Sequence, residues 1–329
     1  MNIKEEILKL KKELDVTIAA HFYQKDEVFD LADITGDSLE LAKKAVATSS
    51  KYVVFCGVGF MGQGVKILAP EKTVLMPKIA CCAMAKMIDA GYYEQNIKTM
   101  NEAGIKNEDI MPVTYINSSA EVKAKVGEMG GIVCTSSNAY KIITEALKSG
   151  KKIFFVPDRC LGQNFAKQMG LKSAVIGQDE NIADADIICY DGFCSVHQQF
   201  TPDDVDFYRE KYDDILVAVH PECDPSVVAK ADFCGSTSQL IKYITELDPE
   251  QKVVVGTEYN MVNRLRDKNT YILSSTKPEC PTMNETTLED LYEALLSIKN
   301  ENVINEIQID DKVVKYARIA LERMFEVKV

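Results

Sequence analysis

Three times along the chain a short β-branched run ends in cysteine, passes through small residues and opens an amphipathic helical stretch. The runs are Tyr52-Val53-Val54-Phe55-Cys56-Gly57, Gly131-Ile132-Val133-Cys134-Thr135-Ser136 and Ala231-Asp232-Phe233-Cys234-Gly235-Ser236. The helical stretches that follow carry Val65-Lys66-Ile67-Leu68, Tyr140-Lys141-Ile142-Ile143 and Leu240-Ile241-Lys242-Tyr243. Each unit is preceded by a strand that ends in polar residues: Thr17 to His21, Val113 to Asn117 and Leu216 to His220. Each is followed by a buried strand led by lysine: Lys72 to Pro77, Lys152 to Pro157 and Lys252 to Gly256. Buried runs alternating with helical periods specify an α/β fold with mainly parallel strands. The recurrence reads as three related units, against the alternative of one doubly wound sheet.

Parallel sheets bind ligands beyond the carboxyl ends of their strands, where helices begin and backbone N–H groups are free. Applied here, the rule selects His21, Tyr23, Asp37, Ser38, Tyr115, Asn117, Thr135, Ser136, His220, Glu222, Ser236 and Thr237. Ser118 with Glu121, and Ser236 with Gln239, have the spacing of capping boxes, so these hydroxyls have a competing role at helix starts. Near the C-terminus, Thr287 to Ile298 and Val313 to Phe325 carry apolar stripes that suit core-covering helices.

A net charge of −12 argues against a nucleic-acid or anionic-membrane surface and leaves small anions to be held by local fields. The charged N-terminus lacks the apolar centre of a signal peptide, and no apolar run is long enough to span a bilayer. A cytoplasmic, reducing location is therefore expected for the ten cysteines. Cys56, Cys134, Cys189 and Cys234 lie in apolar strand patterns and read as packing residues. Cys82, Cys194 and Cys280 stand in turn-like loops after strands. No CxxC pair occurs, so any metal site must be assembled from distant loops, where soft thiolates select an iron-sulfur cluster or zinc. All three histidines, His21, His197 and His220, fall at strand ends or turns, where imidazole can hold an anion or move a proton.

The motifs together resemble the quinolinate synthase family from about Ala20 to Leu296. The matching runs are Ala20-His21-Phe22-Tyr23-Gln24, Gly36-Asp37-Ser38-Leu39, Lys66 to Leu75, Tyr115 to Lys123, Cys134 to Ala139, Gly192-Phe193-Cys194-Ser195-Val196-His197, His220-Pro221-Glu222-Cys223 and Gly235-Ser236-Thr237-Ser238. The resemblance implies three homologous three-layer αβα domains, arranged with pseudo-threefold symmetry around a central active site. In this chain they would span 1–100, 101–190 and 191–284, with C-terminal helices in 285–329 packing back on the first. It implies a 4Fe-4S cluster held by Cys82, Cys194 and Cys280, leaving one iron open. The reaction implied joins iminoaspartate to dihydroxyacetone phosphate, releasing phosphate and two waters to give quinolinate for NAD biosynthesis. Functional coupling to an L-aspartate oxidase or aspartate dehydrogenase would supply the imine.

By the same resemblance Glu222, Tyr23, Tyr115 and His21 would be catalytic. Substrate oxygens would be held by His21, Asp37, Ser38, Tyr115, Asn117, Ser136, His197, His220, Glu222, Ser236 and Thr237. The chain departs from the family pattern at Gly62-Gln63-Gly64, at Tyr190, at Cys160 and in doubling Cys81-Cys82, where the spacing to Ala83-Met84 favours Cys82. A related 4Fe-4S hydro-lyase and a non-catalytic iron-sulfur module that binds or senses anions remain the alternatives.

Overall fold

A computed structural model of the chain describes residues 2–266 and 269–327. Its strands form three separate parallel sheets. The first contains β1 (Val16–His21), β2 (Ile34–Gly36), β3 (Tyr52–Cys56) and β4 (Thr73–Leu75), in the order β2-β1-β3-β4. The second contains β5 (Ile110–Tyr115), β6 (Ile132–Cys134), β7 (Lys152–Val156), β8 (Ser173–Val175) and β9 (Ile187–Cys189), in the order β6-β5-β7-β9-β8. The third contains β10 (Leu216–Val219), β11 (Phe233–Cys234), β12 (Val253–Gly256) and β13 (Thr270–Ile272), in the order β11-β10-β12-β13.

Every residue of β1 is buried, as expected of a central parallel strand covered by helices on both faces. In each sheet the chain leaves the first strand for an edge strand on one side, then returns to pair on the other. The point of reversal lies between β1 and β3, β5 and β7, and β10 and β12. Ligand crevices open beyond the strand ends at such reversals.

Four expectations need correction. Tyr52–Cys56 is β3, beside the central strand, and is not the counterpart of β6 and β11. That edge position belongs to β2, whose three residues carry no apolar run to announce them. Cys234 is exposed rather than packed, because β11 is a two-residue edge strand with a partner on one side only. Ser119, not Ser118, caps its helix, accepting from the Val122 N–H. Ser118 instead donates to the Tyr115 carbonyl at 3.0 Å and accepts from the Thr114 hydroxyl at 2.9 Å.

The fourth correction concerns the last helix. Leu288–Lys299 lies on the N-terminal helix Ile3–Glu13, burying Leu291 and Leu295 with Ile7 and Leu10. Asp311–Glu326 instead lies mainly on helix Ala120–Glu128 and β6, with a smaller contact on helix Gly59–Leu68. Gly127 explains why it docks there. A Cβ at that position would overlap the Tyr316 carbonyl, so only glycine allows the two backbones to approach so closely. No helix among the described residues is long and apolar enough to cross a membrane.

Candidate active site

The three sheets direct their strand ends into one cavity, whose empty space comes to about 660 Å³ when the open solvent at its mouth is counted. His21 is the last residue of β1, Tyr115 the last of β5, and His220 follows β10 directly. With them the cavity wall contains Tyr23, Asp37, Ser38, Asn117, Ser136, His197, Glu222 and Thr237, together with Cys82, Cys194 and Cys280. Ser236 does not line it. Its hydroxyl is fully buried and accepts from the Gln239 N–H, while the Gln239 side chain bonds back in a capping box.

Two loops of the same shape orient the histidines. The Tyr23 N–H donates to His21 Nδ1 at 3.1 Å, and the Glu222 N–H donates to His220 Nδ1 at 3.3 Å. An Nδ1 that accepts cannot carry the proton, so in the neutral ring the hydrogen is on Nε2. Burial lowers His21 to about 4 and His220 to about 3, so both rings are neutral near pH 7. Each therefore offers one N–H donor without a charge of its own.

Glu222 stands at the centre of the polar wall. The Tyr115 hydroxyl donates to Glu222 Oε1 at 2.6 Å. His197 Nδ1 lies 3.0 Å from Glu222 Oε2, close but outside hydrogen-bond alignment. Burial acts to raise this carboxyl, but the His197 and His220 rings and then the Tyr115 hydroxyl outweigh it and hold the group below the usual carboxylate range. Tyr115 and Tyr23 are pushed well above the usual phenol range, by burial first and then by the Glu222 charge. The wall thus pairs an ionised acceptor with phenols that keep their protons.

Sequence reasoning missed Thr257, which follows β12 and is completely buried. Its hydroxyl lies 3.1 Å from Tyr23 Oη and 3.0 Å from His197 Nε2, linking those two side chains. Applying the strand-end rule to Lys252–Gly256 would have found it. The helices after β3, β7 and β12 start at Val58, Asp158 and Glu258, also missed; Asp158 and Glu258 cap theirs by accepting the Leu161 and Met261 N–H groups, whereas the Val58 side chain makes no cap. Asp158 is raised well above the usual carboxylate range by burial, and Glu258 is pushed up to about 8 by the same cause.

These helix starts fix the cysteine loops in a repeated way. The Gly59 N–H donates to the Ala80 carbonyl at 2.8 Å, the Arg159 N–H to Gly192 at 2.8 Å, and the Tyr259 N–H to Pro278 at 2.9 Å. In each loop the cysteine stands two residues beyond that carbonyl: Cys82, Cys194 and Cys280. The carbonyls of the same cysteines then accept from the N–H groups of Lys86, Gln198 and Asn284, at 3.2, 3.1 and 3.1 Å. Cys81 does not fit this register, so Cys82 is the counterpart of the other two.

Burial pushes Cys82 up to about 12, Cys194 well above the usual thiol range and Cys280 upward, and a charge on one would repel charges on its neighbours. Backbone N–H groups of Ala85, His197 and Met283 face the three sulfurs and act in the opposite direction. Such a set stays protonated until a cation offsets the desolvation and repulsion, which is the behaviour of a thiolate metal site. Cys194 Sγ, a His197 nitrogen and a Glu222 oxygen lie within 4.8 Å of one another, so this carboxylate adjoins the cysteine cluster.

The model of the family described as quinolinate synthetase A protein matches residues 5–326. A quinolinate synthase of Helicobacter pylori is 56% identical, over 99% of this chain and 98% of its own. One from Acidobacterium capsulatum is 41% identical, over 94% of this chain and 88% of its own. One from Aquifex aeolicus is 40% identical, over 98% of this chain and 94% of its own. With matches running through every strand end that builds the cavity, the chain belongs to the quinolinate synthetase A family.

Proposed function

We propose that this enzyme condenses iminoaspartate with dihydroxyacetone phosphate to give quinolinate, phosphate and two waters, using a 4Fe-4S cluster. Cys82, Cys194 and Cys280 would hold the cluster. When bound, it supplies a Lewis-acid iron that polarises a substrate oxygen toward elimination. The reading rests above all on the convergence of three cysteines, in loops of the same hydrogen-bonded register, on a cavity that also contains Glu222 and Tyr115.

Both substrates are anionic, and the whole chain carries a net charge of −12, so capture has to be local. The neutral donors His21, His220, Asn117, Ser38, Ser136 and Thr237 suit carboxylate and phosphate oxygens, because they donate without adding a buried charge that must itself be paired. Glu222 takes the protons released in isomerisation and dehydration, and Tyr115, hydrogen-bonded to it, returns them. Tyr23, held by Thr237 and Thr257, orients the intermediate or relays a proton.

The three sheets support a division into related units at about 1–100, 101–190 and 191–284, set around a pseudo-threefold axis through the cavity. All ten cysteines are free thiols, consistent with a cytoplasmic location. An aspartate-oxidising enzyme, an L-aspartate oxidase or aspartate dehydrogenase, would supply the imine. A non-catalytic module would leave the buried Glu222–Tyr115 pair without a use.

Anaerobic purification, iron and sulfide analysis, and an ultraviolet assay for quinolinate from the two substrates test the proposal. A brown protein that forms quinolinate is expected. Cys82→Ser, Cys194→Ser and Cys280→Ser should each lose the cluster. A colourless anaerobic protein, or colour that survives all three substitutions, would refute the cluster assignment.

A further inference from the structure

Asp37 was expected to contact substrate, yet its carboxylate has no acceptor position left to offer. Oδ1 accepts the N–H groups of Leu39 and Glu40, both at 3.0 Å, capping helix Ser38–Ala47. Oδ2 accepts the Ser137 hydroxyl at 2.9 Å and the Ser238 hydroxyl at 2.9 Å. Two oxygens with four donors are saturated.

The three residues in this contact come from three different sheets. Asp37 follows β2, Ser137 lies between β6 and helix Ala139–Leu147, and Ser238 lies in the first turn of helix Thr237–Glu246, after β11. Each has a cavity-facing hydroxyl as its immediate neighbour in sequence: Ser38 beside Asp37, Ser136 beside Ser137, and Thr237 beside Ser238. Asp37 lines both the inner cavity and an outer pocket walled by Ser137, Ser238 and Lys242, so the contact lies at the boundary between them.

We propose that Asp37 is a positioning residue whose carboxylate clasps Ser137 and Ser238, and so sets the mutual spacing of the substrate-facing hydroxyls of Ser38, Ser136 and Thr237. The clasp joins the edge-strand ends of all three sheets through one charge. Bonds of hydroxyls to an ionised carboxylate are shorter and stronger than neutral ones, which suits a tie between three sheets that share no ladder hydrogen bonds. Its kinetic consequence rests on the proposed function, since the hydroxyls matter only if they bind substrate oxygens.

The test is the double variant Ser137→Ala/Ser238→Ala, which removes both cross-sheet bonds and leaves the Oδ1 cap intact. Asp37→Asn is the second variant, keeping shape and losing charge. Hydrogen exchange of the cluster-loaded enzyme is expected to rise at least about fivefold in the first turns of the helices after β2, β6 and β11. The KM values should rise about tenfold for the double variant with kcat within about twofold, and by less for Asp37→Asn. Ser137→Thr/Ser238→Thr should restore both readouts. Unchanged exchange in the double variant would overturn the clasp whatever the enzyme makes. Raised exchange or a lowered melting temperature with unchanged KM would overturn the positioning role. If the parent enzyme made no quinolinate, the functional reading would fail on its own, and the exchange arm would still decide the clasp.

Discussion

Acidification tests the neutrality of His21 and His220. Each ring accepts a backbone N–H at Nδ1 and is fully buried by the cavity wall, and burial lowers the two groups from 6.5 to about 4 and about 3. At pH 5.5 an ordinary histidine would be about 90% charged, whereas His21 would be about 3% charged. The unfolded chain binds more protons than the fold between pH 6.5 and these lowered values. The stabilising contribution of the neutral rings is therefore fully present above pH 6.5 and is lost as the pH falls toward 4 for His21 and 3 for His220.

At about 1.36 kcal/mol per pKa unit, the His21 shift is worth about 3 kcal/mol and the His220 shift about 5 kcal/mol. With only three histidines in the chain, long-range ¹H–¹⁵N spectra can follow each ring, assigned by His21→Asn and His220→Asn. The Nε2–H form should persist unprotonated at pH 5.5 for both. In His21→Asn the introduced amide retains an acceptor near the position of Nδ1. Between pH 7 and 4 the parent should therefore lose about 3 kcal/mol more urea stability than His21→Asn. A midpoint near 6.5 for either ring, or a proton on Nδ1 at pH 7, would refute the argument.

Thr257→Val keeps the side-chain shape but removes the hydroxyl between Tyr23 and His197. With a buried nitrogen left unpaired, the cost should be about 1–3 kcal/mol in denaturant stability, with kcat down at least about tenfold. Gly127→Ala should cost at least about 2 kcal/mol, read as a lower thermal midpoint, because the new methyl meets the Tyr316 backbone and not a side chain that can turn aside. Cys81→Ser should keep parental iron content and colour, since Cys81 lies outside the register shared by Cys82, Cys194 and Cys280; loss of iron would show that Cys81 is the ligand.

Local chemistry made much of the site legible. His21, Tyr115 and His220 end apolar runs, and a strand followed by a helix places such residues at a ligand edge whatever the rest of the chain does. Polar residues at the ends of short or late strands were harder to find. Ile34-Thr35-Gly36 carries too little apolar pattern to stand out as β2, so its place in the first sheet was assigned to β3. Thr257 directly follows a strand that was recognised, so its place at a ligand edge was legible, but its partners were not. Its role exists only because Tyr23 and His197, from two other parts of the chain, reach the same hydroxyl.

By itself the sequence determined the α/β class, the parallel strands, the family and the residue types at the strand ends, because periodicity and motif spacing are local properties of a chain. Tertiary structure decided which of those residues share an environment. It tied the Asp37 carboxylate to Ser137 and Ser238 from the other two sheets, and it joined Tyr23 and His197 through Thr257. It also drew the last helix onto Gly127 of the second sheet's layer. Each of these depends on distances between segments far apart in sequence and on burial created only when three sheets meet, and neither quantity is carried by any single stretch of residues.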